Sequence, residues 1–173
     1  DVVRIENTDT FYYINGGKRQ LITPFVRNQR FADVQPILAT LNDLDAFPEG
    51  SLAEPNDGTL IKTPNDDTVY YMSQGLRLPI TYQVFLMRDL SFTKVRTLSL
   101  TEVNSWILGS FLTPPEGTLV RTTTNPTVYW TVGGVLHPIN YQFWVDKGLS
   151  VFPVIFVAEQ DLLKYPKGDA YIR

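Results

Sequence analysis

GTLIKTPNDDTVYYMSQGLRLPI, residues 58–80, is written again as GTLVRTTTNPTVYWTVGGVLHPI at residues 117–139, with ten of 23 positions identical at a constant offset of 59. A third copy emerges once the period is known. Residues 2–22, VVRIENTDTFYYINGGKRQLI, align with 60–80 at an offset of 58. Val2-Val3-Arg4 then matches Leu60-Ile61-Lys62 and Leu119-Val120-Arg121, and Phe11-Tyr12-Tyr13 matches Val69-Tyr70-Tyr71 and Val128-Tyr129-Trp130. A period of this length marks a repeat architecture, in which each unit leaves an apolar face for its neighbours to cover.

The second halves of the units repeat more weakly. Leu44, Val103 and Leu162 correspond, as do Phe47, Trp106 and Tyr165, and then Gly50, Gly109 and Gly168, all at an offset of 59. One extra residue between Ile22 and Arg30 accounts for the change of offset. The expected organisation is three repeats, 1–57, 58–116 and 117–173, packed as one structural domain. The connecting stretches SLAEPNDG and SFLTPPEG are rich in turn-forming residues.

Within a unit, a short strand (LIK) is followed by a polar turn (TPNDD, TTTNP) and a strong strand of β-branched and aromatic residues (TVYYMS, TVYWTV). A glycine-centred hairpin turn at Asn15-Gly16-Gly17, Gln74-Gly75 or Gly133-Gly134 leads to a third strand ending near Ile22, Ile80 or Ile139. YQVFLMRDL and YQFWVDKGL suit one or two helical turns, and VRTL and VIFV suit a further strand. Ser99-Leu-Thr-Glu102 fits a capping box, and Thr40-Leu-Asn-Asp43 is a poorer version. The helix that follows carries Leu41/Leu44/Phe47, Leu100/Val103/Trp106 or Leu162/Leu163/Tyr165 on one face. The expected fold class is therefore mostly β with short helices, in a short array or around a pseudo-threefold axis. A β-trefoil-like arrangement is the alternative, against which the capping box counts. A propeller-like one is another, for which three blades are too few.

Composition excludes several functions. The net charge is −3 with no cluster of Lys or Arg, which argues against nucleic acid and against a polybasic membrane patch. No apolar run approaches the roughly 20 residues that span a bilayer, so no membrane insertion is expected. The chain has no cysteine and one histidine, His137, which leaves no thiolate or transition-metal cluster; no cofactor and no metal are expected. The start at Asp1, with neither Met nor a signal-like segment, reads as a mature protein or a piece of a longer one.

The repeated passage resembles a tandem repeat of bacterial cell-surface and secreted proteins, in which G-T-L-I-K precedes V-Y-Y, N-G-K-x-R-P-I and a closing L-x-x-Y/F-P-x-G. Gly58-Thr59-Leu60-Ile61-Lys62, Val69-Tyr70-Tyr71, Asn15-Gly16-Gly17-Lys18-Arg19 and Leu162-Leu163-Lys164-Tyr165-Pro166-Lys167-Gly168 carry the likeness. It implies an extracellular or cell-surface location and a non-catalytic, accessory role. The third copy departs from the pattern, with Leu136-His137 where the second has Arg77-Leu78.

Catalytic readings are weaker. His137 occupies a position filled by Gln20 and Leu78 in the other copies, and no serine elbow surrounds any serine. Asp66-Asp67, Asp43, Asp45 and Glu102 could form the carboxylate pair of a small glycan hydrolase. However, Asp66-Asp67 reads as a solvated turn, and an active site should break the symmetry of one unit. Asn56-Asp57-Gly58 lacks the spacing of a calcium loop.

What recurs in triplicate is a cation, Arg4, Lys62 or Arg121, and a strand tyrosine, Tyr12, Tyr70 or Tyr129. Facing outward together, they would form a ligand-binding surface for a cell-wall or surface glycan, or for a neighbouring surface protein. The structural reading puts the tyrosines in the core of each unit with the cations at its edge. The sequence thus points to a non-catalytic attachment module, with a small glycan hydrolase or a purely structural spacer as alternatives.

Overall fold

The computed structural model describes residues 1–171. The chain is mostly β, with thirteen strands in three sheets and five short helices among the described residues. Each sheet starts with a three-stranded antiparallel meander: β1 (Val2–Ile5), β2 (Phe11–Asn15) and β3 (Lys18–Ile22); β5 (Leu60–Thr63), β6 (Asp66–Ser73) and β7 (Leu76–Pro79); β10 (Leu119–Arg121), β11 (Val128–Val132) and β12 (Val135–Ile139). The second hairpin of each meander turns through two residues of positive φ, such as Gly16 and Gly17 at 56° and 72°. That geometry matches the twist of the flanking strands. Gln74 adopts φ 51° at the same place in the second copy, and its amide is held by Asp57 Oδ1 at 2.7 Å.

A short helix follows each meander: α1 (Pro24–Arg30), α2 (Tyr82–Met87) and α4 (Tyr141–Asp146). Their N-caps are Thr23, Thr81 and Asn140, each accepting the amide three residues on. The chain then crosses back to lay β4 (Ile37–Ala39), β8 (Arg96–Thr97) or β13 (Val154–Phe156) parallel to the first strand of its own sheet. Next comes a helical turn: Asn42–Leu44 in the first copy, α3 (Leu100–Ser105) in the second, α5 (Glu159–Leu162) in the third. Last, a segment pairs parallel to the third meander strand, through β9 (Ile107–Leu108) on β7 and through the bridges Arg19–Glu49 and Leu136–Lys167. The three sheets are separate, so no closed trefoil barrel is formed among the described residues.

Some local expectations needed correction. Asp66 and Asp67 start strand β6 rather than lying in the turn, because Asp66 Oδ1 accepts both the amide and the hydroxyl of Thr68. Helix α1 lies under PFVRNQR, where no helix was expected; Pro24 at its first turn and Thr23 as cap are the signals. Thr40–Asp43, the weaker capping pair, is the one that closes in both directions, whereas Glu102 Oε1 finds no partner. Leu41, Leu100 and Leu163 point to solvent, leaving Leu44/Phe47, Val103/Trp106 and Leu162/Tyr165 as the inward faces.

The chain forms two compact units, one of residues 1–77 with 95–108 and one of residues 78–94 with 109–173. The core of the first unit joins two copies. Val2, Ile22, Val26, Phe31 and Ala53 from the first meet Ile61, Met72, Val103 and Trp106 from the second, and Trp106 Nε1 donates to Ala53 O at 3.4 Å. In the second unit, Thr81 Oγ1 lies 2.6 Å from the Tyr165 hydroxyl. Ile80, Val84 and Leu112 are buried there, as are Val120, Val157 and Leu162.

Candidate functional site

Side chains alternate across a strand, so register decides which repeated residues can meet. Tyr12 pairs with Val3, Tyr70 with Ile61 and Tyr129 with Val120. Arg4, Lys62 and Arg121 are each the next residue along and therefore lie on the opposite face of their sheets. The structure does not bring these cations to these tyrosines. Arg4 instead pairs with Asp9 at 3.2 Å, and Lys62 with Asp67 at 3.0 Å. The third copy has Pro126 where an aspartate would stand, and Arg121 lies over the Phe156 ring at 4.8 Å.

The tyrosines have other cations. Arg19 Cζ lies 6.0 Å from the Tyr12 ring centroid, Arg77 Cζ 5.0 Å from that of Tyr70, and Lys167 Nζ 5.9 Å from that of Tyr129. Each cation also ties down the helical turn of its own copy. Arg19 Nη1 donates to Leu44 O at 3.1 Å, Arg77 Nε to Trp106 O at 3.0 Å, and Lys167 Nζ to Tyr165 O at 2.7 Å and to Leu162 O. Leu44 corresponds to Leu162, and Trp106 to Tyr165. Lys167 thus takes both acceptor positions that the other two copies use singly, even though the donors are not equivalent. Arg19 and Arg77 sit on the third meander strand, where the third copy has Leu136. Lys167 sits on the neighbouring segment, where the second copy has Leu108. The charge has moved one strand over and kept its targets. Burial holds the Lys167 ammonium below the usual lysine range, and it raises the Tyr165 phenol against the opposing pull of its hydrogen bond to Thr81.

Tyr12, Tyr70 and Tyr129 are half-buried, and Tyr12 and Tyr70 pack against hydrophobic clusters. Two tyrosines that do face solvent open post-meander helices α2 and α4. Tyr82 is 64% exposed and Tyr141, at the same repeat position, 75%. Each has a second ring beside it: Phe92 at 6.5 Å from Tyr82, stacked, and Trp144 at 6.3 Å from Tyr141, edge-on. Sequence reasoning passed over both because it followed the strand tyrosines. Position 24, their first-copy counterpart, is a proline. An apolar cavity of about 410 Å³ opens among Leu119, Trp130, Leu149, Phe152, Pro153 and Ile155.

The remaining polar candidates serve local structure. His137 stacks on Tyr171 at 4.4 Å, with Nδ1 2.8 Å from Asp169 O. Asp57, from the calcium-like triplet, clamps the hairpin at Gln74, and Glu116 does the same at Gly133. Asp43 and Asp66 are held below the usual carboxylate range by the backbone and hydroxyl hydrogen bonds of Thr40 and Thr68. No group of three or more His, Cys, Asp or Glu is arranged to hold a metal ion among the described residues. No described helix is long and apolar enough to cross a membrane.

No known family matches the chain, and no curated protein sequence matches it. Among solved structures it is similar to a chain of the periplasmic assembly of the ESX-5 inner membrane complex, at 13% identity and a TM-score of 0.27, over 99% of this chain and 63% of that one. It is also similar to a chain of the intact ESX-5 inner membrane complex, at 11% identity and a TM-score of 0.28, over 99% of this chain and 54% of that one. The chain thus spans less than two thirds of either relative. Likeness at this level carries no argument about what the chain does.

Proposed function

We propose that the chain is a non-catalytic repeat module of a bacterial cell-surface or secreted protein, and that it serves attachment to a surface glycan. The observation that carries this reading is the pair of exposed tyrosines, Tyr82 and Tyr141, at matching positions of two copies, each with a second ring beside it, Phe92 and the part-buried Trp144. Open aromatic faces suit the apolar faces of sugar rings. Two weak sites of one kind act together through avidity. The resemblance of the GTLIK…VYY…NGK passage to repeats of surface proteins supports the same role. In this reading Tyr12, Tyr70 and Tyr129 build the units, and Arg4, Lys62 and Arg121 brace the other face of each sheet.

The test is co-sedimentation of the purified chain with bacterial cell-wall sacculi, with and without competing soluble glycans. Retention that sugars abolish is expected. Tyr82→Ala combined with Tyr141→Ala should weaken it by roughly tenfold, about 0.7 kcal/mol for each ring, and leave the melting temperature unchanged. Absent retention, or retention indifferent to both substitutions, refutes the reading.

A further inference from the structure

Each sheet uses its two faces differently. In the first unit, the face of β1–β3 bearing Val2 and Ile22 joins Val26 of α1 and Ala53 of the connector to cover the next copy. The next copy receives them on the opposite face of its own sheet, through Ile61 and Met72, with Val103 and Trp106 of α3 beside them. A joint thus has a covering half and a receiving half. Among these three copies, two halves have no partner: the receiving half of the first and the covering half of the third.

The leftover halves exist as clusters of their own. Val3, Ile5 and Leu44 form the first, with Tyr12, Ile14, Ala39 and Phe47 half-buried around them. All but Ile5 are the counterparts of second-copy residues in or packed against the joined core. Leu119, Phe143 and Leu149 form the second, with Trp130, Ile139 and Tyr171 at its edge. These are the counterparts of the covering residues Val2, Val26, Phe31, Tyr13, Ile22 and Ala53. Val3, Leu44, Leu119 and Phe143, at the centres of the leftover halves, are buried, and the division shows at the rims. Met72 and Trp106 are 1% and 2% exposed, and their third-copy counterparts Thr131 and Tyr165 are 0% and 3%, whereas Ile14 and Phe47 stay half-open. On the covering side, Ile22 and Ile80 are buried while Ile139 is half-open.

We infer that the chain associates head to tail with a second copy of itself, the covering half of the third copy seating on the receiving half of the first. The occupant is a second copy because the contact required is the joint already built within the first unit, continued from one chain to the next. The two halves are different surfaces, so the contact is heterologous and each added chain presents a fresh half. Tyr82 stays exposed with the residues of its own joint buried, so Tyr141 should stay exposed as well. Association therefore adds aromatic platforms without covering them, and it stands whether or not they bind glycan.

The test is analytical ultracentrifugation of the full chain from about 1 µM to about 1 mM. The expected weight-average mass rises with concentration to at least twice 19.7 kDa. Phe47→Glu on the receiving half and Ile139→Glu on the covering half should each weaken self-association by tenfold or more. An equimolar mixture of the two should recover a dimer, because each variant keeps the half that the other has lost. Circular dichroism and thermal melting establish that the variants fold, and Ile14→Glu replaces Phe47→Glu if the latter does not. A chain that stays at 19.7 kDa throughout overturns the inference. So do folded variants that associate like the parent, or that fail to pair when mixed.

Discussion

The displaced cation at Lys167 makes a sharp prediction, because the chain contains the alternative solution in its own second copy. Lys167 Nζ donates to two carbonyls at the end of α5 and lies 5.9 Å from the Tyr129 ring. Charged hydrogen bonds contribute about 1.5–3 kcal/mol each when shielded, and an exposed cation–π contact adds about 0.5–1 kcal/mol. Lys167 is an exposed residue, and the freed carbonyls can take up water, so most of that sum is not realised. We expect Lys167→Leu to cost about 1–2 kcal/mol, at the lower end of what those interactions allow. Leu136→Arg alone should also destabilise, since it sets a guanidinium into a fully buried position beside an ammonium. Combined, the two substitutions write the second copy's own pair, Arg77 beside Leu108, into the third sheet. The guanidinium can then reach the same carbonyls from the neighbouring strand. Urea unfolding of the parent, both single variants and the double variant gives the cycle, with an expected coupling of at least about 1 kcal/mol in the stabilising direction. Additive losses, or a Lys167→Leu variant as stable as the parent, would refute the idea that the cation is a strut defined by its acceptors.

Thr131 is completely buried and its hydroxyl has no partner, at a position where the other copies carry Ile14 and Met72. Thr131→Val should therefore stabilise by about 1 kcal/mol, seen as a higher urea midpoint at an unchanged slope. Trp106→Ala should cost about 3–5 kcal/mol in the same assay, since it empties the centre of the first unit's core. Asp43 and Asp66 have folded values below the unfolded value of about 3.9, so their contribution is full above that pH and lost as pH falls through the folded values. Melting temperature should drop on acidification below about pH 4, and less steeply in a chain carrying Asp43→Asn and Asp66→Asn.

The architecture was legible in the sequence because repetition averages out local ambiguity. Val-Tyr-Tyr and Val-Tyr-Trp after a polar turn, at one offset, identify the middle strands, and glycine at the second turn position identifies the hairpins. The pairing of cations with tyrosines was not legible in the same way. Matching Arg4, Lys62 and Arg121 to Tyr12, Tyr70 and Tyr129 tells which residues recur, but one residue of register decides which face each occupies. The true partner in the third copy, Lys167, stands at a position where the other copies have Glu49 and Leu108, so no comparison of aligned residues could find it. One signal was available: Leu136 removes a charge that Arg19 and Arg77 supply, and a lost charge invites a search for its replacement on an adjacent strand.

That substitution also says what the repeats preserve. Tyr12, Tyr70 and Tyr129 recur because each forms a wall of its unit and a floor for a cation. The cation's own position in the chain is free to change, since its acceptors are backbone carbonyls that the helical turn presents whatever its side chains are. The same freedom explains the joints. Trp106 reaches Ala53 through an indole N–H, and Tyr165 reaches Thr81 through a phenol, two different bonds from one repeat position to the preceding copy. Phe47, at that position in the first copy, has no polar atom to offer and leaves its ring half-open. An aromatic residue is required there by packing; its polar tip follows from what the preceding copy presents.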